Sequence, residues 1–113
     1  MTGRKTATTQ GRAKPTKEHN GARVELDTAV LSTYRMVSYY LMSSYLYYVL
    51  NTSVISDANF DELCTELLAR WDQSDHPHKH LIDKASLKAG SGYAIPSYPL
   101  RVQNAAKRWL KTP

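Results

Sequence analysis

A chain of 113 residues carrying a net charge of +5 holds one small domain at most, and its single cysteine, Cys64, excludes an internal disulfide. Composition is ordinary for a globular protein except for eight tyrosines, six of them between Tyr34 and Tyr48. A lone cysteine fits a reducing cytosol, and the N-terminus lacks the apolar stretch that a secretory leader needs.

The positive charge belongs to one end. In residues 1–23, Arg4, Lys5, Arg12, Lys14, Lys17 and Arg23 face Glu18 alone, whereas acidic and basic residues balance from position 24 onward. That segment is rich in Thr, Gly, Lys and Arg, with almost no large apolar side chain. It cannot bury enough surface to offset its ordering entropy and is expected to be a disordered basic arm. Two roles fit it: a contact to nucleic-acid phosphates through charge and counterion release, or a solubilising tail.

Residues 24–113 read as a single small helical domain. The segment Glu25-Leu-Asp-Thr-Ala-Val opens a long helix, with Asp27 or Thr28 as its cap. Val30, Tyr34, Val37, Leu41, Tyr45 and Tyr48 follow helical spacing, and Leu31, Met42, Leu46 and Leu50 widen the stripe, so the helix is covered on more than one side. Residues 36–56 contain no charge, yet Ser38, Ser43, Ser44, Asn51, Thr52 and Ser53 interrupt the run. A membrane span is not expected.

Asn51, Thr52 and Ser53 end that helix. Ser56 is placed to cap a second, with Asp57 in its first turn, where a negative charge meets the positive helix end. This helix runs to about Arg70 or Gln73 and buries Phe60, Leu63, Cys64, Leu67, Leu68 and Trp71. His76 and Pro77 close the resulting hairpin of about residues 28–75. In the extension 76–113, residues 84–89 make one or two helical turns, Gly90 to Gly92 a turn, and Ile95 to Pro99 an extended link. A last helix from about Arg101 to Lys111 puts Val102, Ala105, Ala106, Trp109 and Leu110 on one face. The fold class expected is mainly α, a helical hairpin core with a short C-terminal helix.

Asp57, Phe60 and Asp61 stand at i, i+3 and i+4 of the second helix and share a face, while Tyr47 and Tyr48 occupy the last turn of the first. Rings and carboxylates therefore fall at one hairpin mouth. A carboxylate accepts two donors, such as ribose hydroxyls or an amide NH2, and a tyrosine face attracts a pyridinium ring by about 0.5–2 kcal/mol. Spacing alone favours a plainer account, in which Tyr47, Tyr48 and Phe60 are core and Asp57 is only a helix-start charge.

A resemblance points the other way. Tyr47, Tyr48 and Val49, the run Ile55-Ser-Asp-Ala-Asn-Phe-Asp, then Leu63, Glu66, Leu67, His76 and Pro77 resemble the N-terminal domain Ia of bacterial NAD-dependent DNA ligases. The resemblance covers about residues 28–80. That domain recognises the nicotinamide mononucleotide (NMN) half of NAD, with a pattern close to Tyr-Tyr-x-x-Asp-x-Pro-x-Ile-Ser-Asp-Ala-Glu-Tyr-Asp. The resemblance implies that Tyr47 and Tyr48 contact nicotinamide and its ribose phosphate, Asp57 and Asp61 take ribose or carboxamide donors, and Phe60 forms a second aromatic wall. Three positions depart from the pattern: Phe60 replaces a Tyr and lacks its hydroxyl, Asn51 replaces an Asp, and Ser53 replaces a Pro.

The Lys-x-Asp-Gly motif that takes AMP from NAD in those ligases has no counterpart, since no Asp-Gly pair occurs. The chain is not expected to be an enzyme, nor to ligate alone. It resembles the short, stand-alone ligase-like proteins that bacteriophages encode, in which a His-Lys-His-Leu stretch and a Gly-x-Gly-Tyr plus Tyr-Pro segment follow the hairpin. The functions implied are a non-catalytic NMN- or NAD-binding protein of phage DNA metabolism in the host cytoplasm, a module that docks on the host DNA ligase, or a DNA-binding accessory using the basic arm. Other signals are weaker. His76, His78 and His80 with Asp75 lack the spacing of a closed metal set, and no metal is expected. Asp57 and Asp61 have no nucleophile beside them, residues 88–92 are not a phosphate loop, and Lys107, Arg108 and Trp109 fit a docked helix as well as a nucleic-acid face.

Overall fold

The computed structural model of the chain describes residues 23–112. Among these residues there are four α-helices and no strand, in keeping with the mainly α expectation: α1 (Thr33–Tyr48), α2 (Asp57–Ala69), α3 (Lys84–Ala89) and α4 (Leu100–Lys111). Single 3₁₀ turns occupy Trp71–Gln73 and Lys79–Leu81. The basic arm, with Arg4, Lys5, Arg12, Lys14 and Lys17, lies outside the described residues; only Arg23 at its end is described.

Helix α1 is the centre of the fold. It packs against α2 on one side and α4 on another, and α2 in turn carries α3. Met36, Val37, Tyr40, Leu41, Tyr45 and Leu46 of α1 are buried, as are Phe60, Leu63, Cys64 and Leu67 of α2. Burial of eight of its sixteen residues on more than one side explains why the apolar stripe of α1 is so wide. Val102 and Ala106 seat α4. No described helix is long and apolar enough to cross a membrane.

The first helix starts later than its sequence pattern implies. Ser32, not Asp27 or Thr28, is the N-cap, accepting from the Arg35 amide. Residues 28–30 form a turn in which Asp27 Oδ1 accepts from the Ala29 N–H at 3.0 Å, and Val30 is 77% exposed. Two ties from α2 hold the segment that precedes α1. Asn59 Oδ1 accepts from the Leu26 N–H at 2.6 Å, and Asn59 Nδ2 donates to the Leu26 carbonyl at 3.0 Å. With both backbone groups of Leu26 taken, the segment runs beside α2. Arg70 adds a second tie by donating from Nη2 to the Thr28 carbonyl at 2.9 Å.

The other elements follow their local signals. Ser56 Oγ accepts from the Asn59 N–H at 3.0 Å and caps α2, with Asp57 in the first turn. Gly90 closes α3 with φ +70. Its N–H reaches the Leu87 carbonyl while the Ser91 N–H reaches that of Ser86, the paired bonds of a Schellman end. At the C-terminal end of α4, Arg23 Nη2 donates to the Leu110 carbonyl at 2.8 Å, a favourable cation at a negative helix end.

Candidate functional site

The end of α1 and the start of α2 enclose a shallow hollow of about 280 Å³ counted out to its open mouth. Ser43, Tyr47, Tyr48, Ser53, Ile55, Ser56, Asp57 and Phe60 line it. That volume includes open solvent, so at most the edge of a ligand enters and the rest stays outside.

Four of the five residues singled out from the sequence thus meet here: Tyr47, Tyr48, Asp57 and Phe60. The chain reverses at Asn51, whose φ of 60 is left-handed, a conformation Asn tolerates better than most residues. The Thr52 N–H then bonds back to the Leu46 carbonyl at 2.9 Å. This tie brings the cap of α2 against the last turn of α1 even though Ser53 stands where the ligase pattern has Pro.

The rings meet edge to face. Tyr47 and Tyr48 lie 4.8 Å apart at 80°, and Tyr48 meets the exposed Tyr93 at 5.7 Å and 67°. Tyr48 is held by its hydroxyl, 3.2 Å from Ser91 Oγ. Phe60 is only 7% exposed and stacks on Tyr40 at 5.6 Å and 15°, so it serves the core and the wall together. Behind it, Tyr40 donates to the Ser91 carbonyl at 2.6 Å. Burial, with a smaller contribution from neighbouring Cys64, pushes the Tyr40 phenol far above the ordinary tyrosine range, which keeps it a donor. Tyr98, which meets Tyr45 edge on, is raised in the same way, by burial first and Tyr48 second.

Asp61 is placed differently from expectation. It shares a helix face with Asp57 but is not among the residues lining the hollow. Its Oδ1 lies against Gly90, close enough that a Cβ there would stand 2.7 Å away. The turn after α3 thus packs over Asp61, and the next glycine packs as tightly over α1: a Cβ at Gly92 would overlap the Ser44 hydroxyl.

Sequence reasoning missed Ser43, Ser53, Ile55 and Ser56 as lining residues. Ser43 had a signal, since it precedes Tyr47 by four residues and shares its face of α1. It is 5% exposed, and its Oγ has no hydrogen-bond partner. Elsewhere, the His76 to His80 loop is internally bonded. His76 Nε2 lies 2.9 Å from Ser38 Oγ, and His76 Nδ1 accepts from the His78 N–H at 3.0 Å. Its ring packs on Tyr34 at 4.4 Å. Lys79 is spent on the Trp71 and Ser74 carbonyls at 2.8 and 3.0 Å.

Chemically the hollow offers aromatic edges and faces, one carboxylate and several hydroxyls, with no cation among its lining residues. This set suits a flat group that is cationic or rich in hydrogen-bond donors. No family model, curated protein or solved structure matches the chain.

Proposed function

We propose that the chain is a non-catalytic, DNA ligase-like binding protein whose hollow receives the nicotinamide end of NMN or NAD. The observation that carries the reading is the meeting of Tyr47, Tyr48, Phe60 and Asp57 around one open hollow. A pyridinium ring set against the phenols gains about 0.5–2 kcal/mol from ring–cation attraction. Asp57 adds charge complementarity and accepts donors from the carboxamide or the ribose. The phosphate stays outside, since the hollow is too small to enclose it. In this reading the protein works in phage DNA metabolism within the host cytoplasm, with the host DNA ligase or DNA as its partner.

Calorimetric titration with NMN tests the proposal. The expected result is saturable binding in the submillimolar to millimolar range, weakened about tenfold or more by Asp57→Asn, equivalent to about 1.4 kcal/mol. Absence of saturable binding at several millimolar NMN, or equal binding by Asp57→Asn, defeats it.

A further inference from the structure

We infer that the outward face of α4 is a binding surface for the phosphate backbone of a DNA duplex. It concerns a surface apart from the corner between α1 and α2 and stands whether or not NMN binds there.

Charge is unevenly spread over the body. Every acid from position 24 onward lies between Glu25 and Asp83, while residues 84–113 carry six Lys or Arg and no acid. Four of those six are on α4: Arg101, Lys107, Arg108 and Lys111, all exposed. At about 100° per residue, they and the exposed Asn104 fall within about 120° of the helix circumference, opposite the buried Val102 and Ala106. Along the axis the stripe runs about 15 Å. Arg23 adds a cation at the Lys111 end, where it donates to the Leu110 carbonyl. Among the described residues, none forms an ion pair with the four cations of α4.

This stripe is not what helix stability asks for. Like charges three or four residues apart repel, as Lys107 and Arg108 do with Lys111. A cation in the first turn, as Arg101 is, opposes the helix dipole, and no acid stands beside it. A polyanion laid along the stripe offsets both effects, and its condensed counterions are released.

The occupant follows from what the face lacks. A basic helix that lies on a membrane inserts its apolar side, but that side of α4 is seated on α1. A single strand is held by stacking on aromatic rings, but Trp109, the aromatic residue of α4, packs on Tyr39 at 5.1 Å. Charge alone remains, and a duplex presents it densely, one phosphate per about 1.7 Å of axis.

The test is the affinity of the full chain for a fluorescent DNA duplex across about 50–200 mM salt, read by anisotropy. Arg101→Gln with Arg108→Gln is compared with Lys84→Gln with Lys88→Gln, which removes the same charge from α3. The α4 pair should bind at least about tenfold more weakly at the low-salt end, and its plot of log affinity against log salt should be flatter by about 2. The α3 pair should keep the wild-type slope. Arg101→Lys with Arg108→Lys preserves the charge and should keep the slope as well. All these variants should melt as the wild type does, since Gln, Lys and Arg have similar helix propensities. The inference is overturned if the wild type does not bind the duplex, if the two Gln pairs have equal effects, or if the Lys pair loses slope as the α4 Gln pair does. It is overturned too if a single strand of equal length binds more tightly, or if polyglutamate of equal charge competes as well as unlabelled duplex, which would assign the face to an acidic protein.

Discussion

Replacing Asn59 by Leu tests the packing that holds the N-terminal segment to the hairpin. The side chain is 2% exposed and makes the two bonds to the Leu26 peptide, with Nδ2 also 3.2 Å from Glu62 Oε1. Leu has the same number and branching of side-chain heavy atoms as Asn and is better in a helix, so it leaves no cavity and costs no propensity. What remains is one N–H and one C=O of Leu26 stripped of partners, at about 1–3 kcal/mol each. The expected loss is therefore about 2–5 kcal/mol, a large share of the 5–15 kcal/mol typical of a domain. In urea melts followed by circular dichroism, at a slope of about 1 kcal/mol/M, the midpoint should fall by about 2 M or more. Asn59→Asp should also lose stability, because its carboxylate faces the Leu26 carbonyl that the amide now serves. A loss below about 0.5 kcal/mol for Asn59→Leu would mean that Leu26 is not held by Asn59, and the account of how the N-terminal segment is fixed to the hairpin would fail.

Gly92→Ala puts a methyl group into the Ser44 hydroxyl and should cost about 1–3 kcal/mol by overpacking. Adding Ser44→Ala should restore only part of this, because the Ser44 Cβ itself would stand 2.7 Å from the new methyl; full recovery or no initial loss in urea melts contradicts the packing. His76 should titrate below its ordinary value of 6.5, chiefly through burial and then through His78, with Asp75 opposing. Its neutral ring accepts the His78 N–H on Nδ1, so the folded state binds fewer protons than the unfolded chain, and this contribution to stability is complete above about pH 6.5 and lost as pH falls through the folded value. Proton NMR of the His76 ring checks this, and a midpoint at or above 6.5 refutes it.

The sequence made legible whatever is decided locally. The Ser56 cap, the buried face of α2, the short α3 with its glycine end and the seat of α4 all follow from neighbours within a few residues. The start of α1 was not legible, because the segment before it is tied to side chains far along the chain, Asn59 on the Leu26 peptide and Arg70 on the Thr28 carbonyl. At the site, Tyr47, Tyr48, Asp57 and Phe60 could be placed by helical spacing and a short connection. Spacing also grouped Asp61 with them, since i and i+4 share a face. It could not show that the turn at Gly90 packs over that part of the face. Ser43 was passed over although it shares the face of Tyr47, because in a run of apolar residues a serine reads as an interruption of the stripe.

The central claim, that the corner between α1 and α2 is a nicotinamide site, is tested most directly by NMR titration of isotope-labelled protein with NMN. The account predicts saturating shifts centred on Ser43, Tyr47, Tyr48, Asp57 and Phe60 by about 1 mM ligand, where binding is worth only about −4 kcal/mol. Resonances that stay still at several times that concentration, or that move only around the His76 to His80 loop, contradict it.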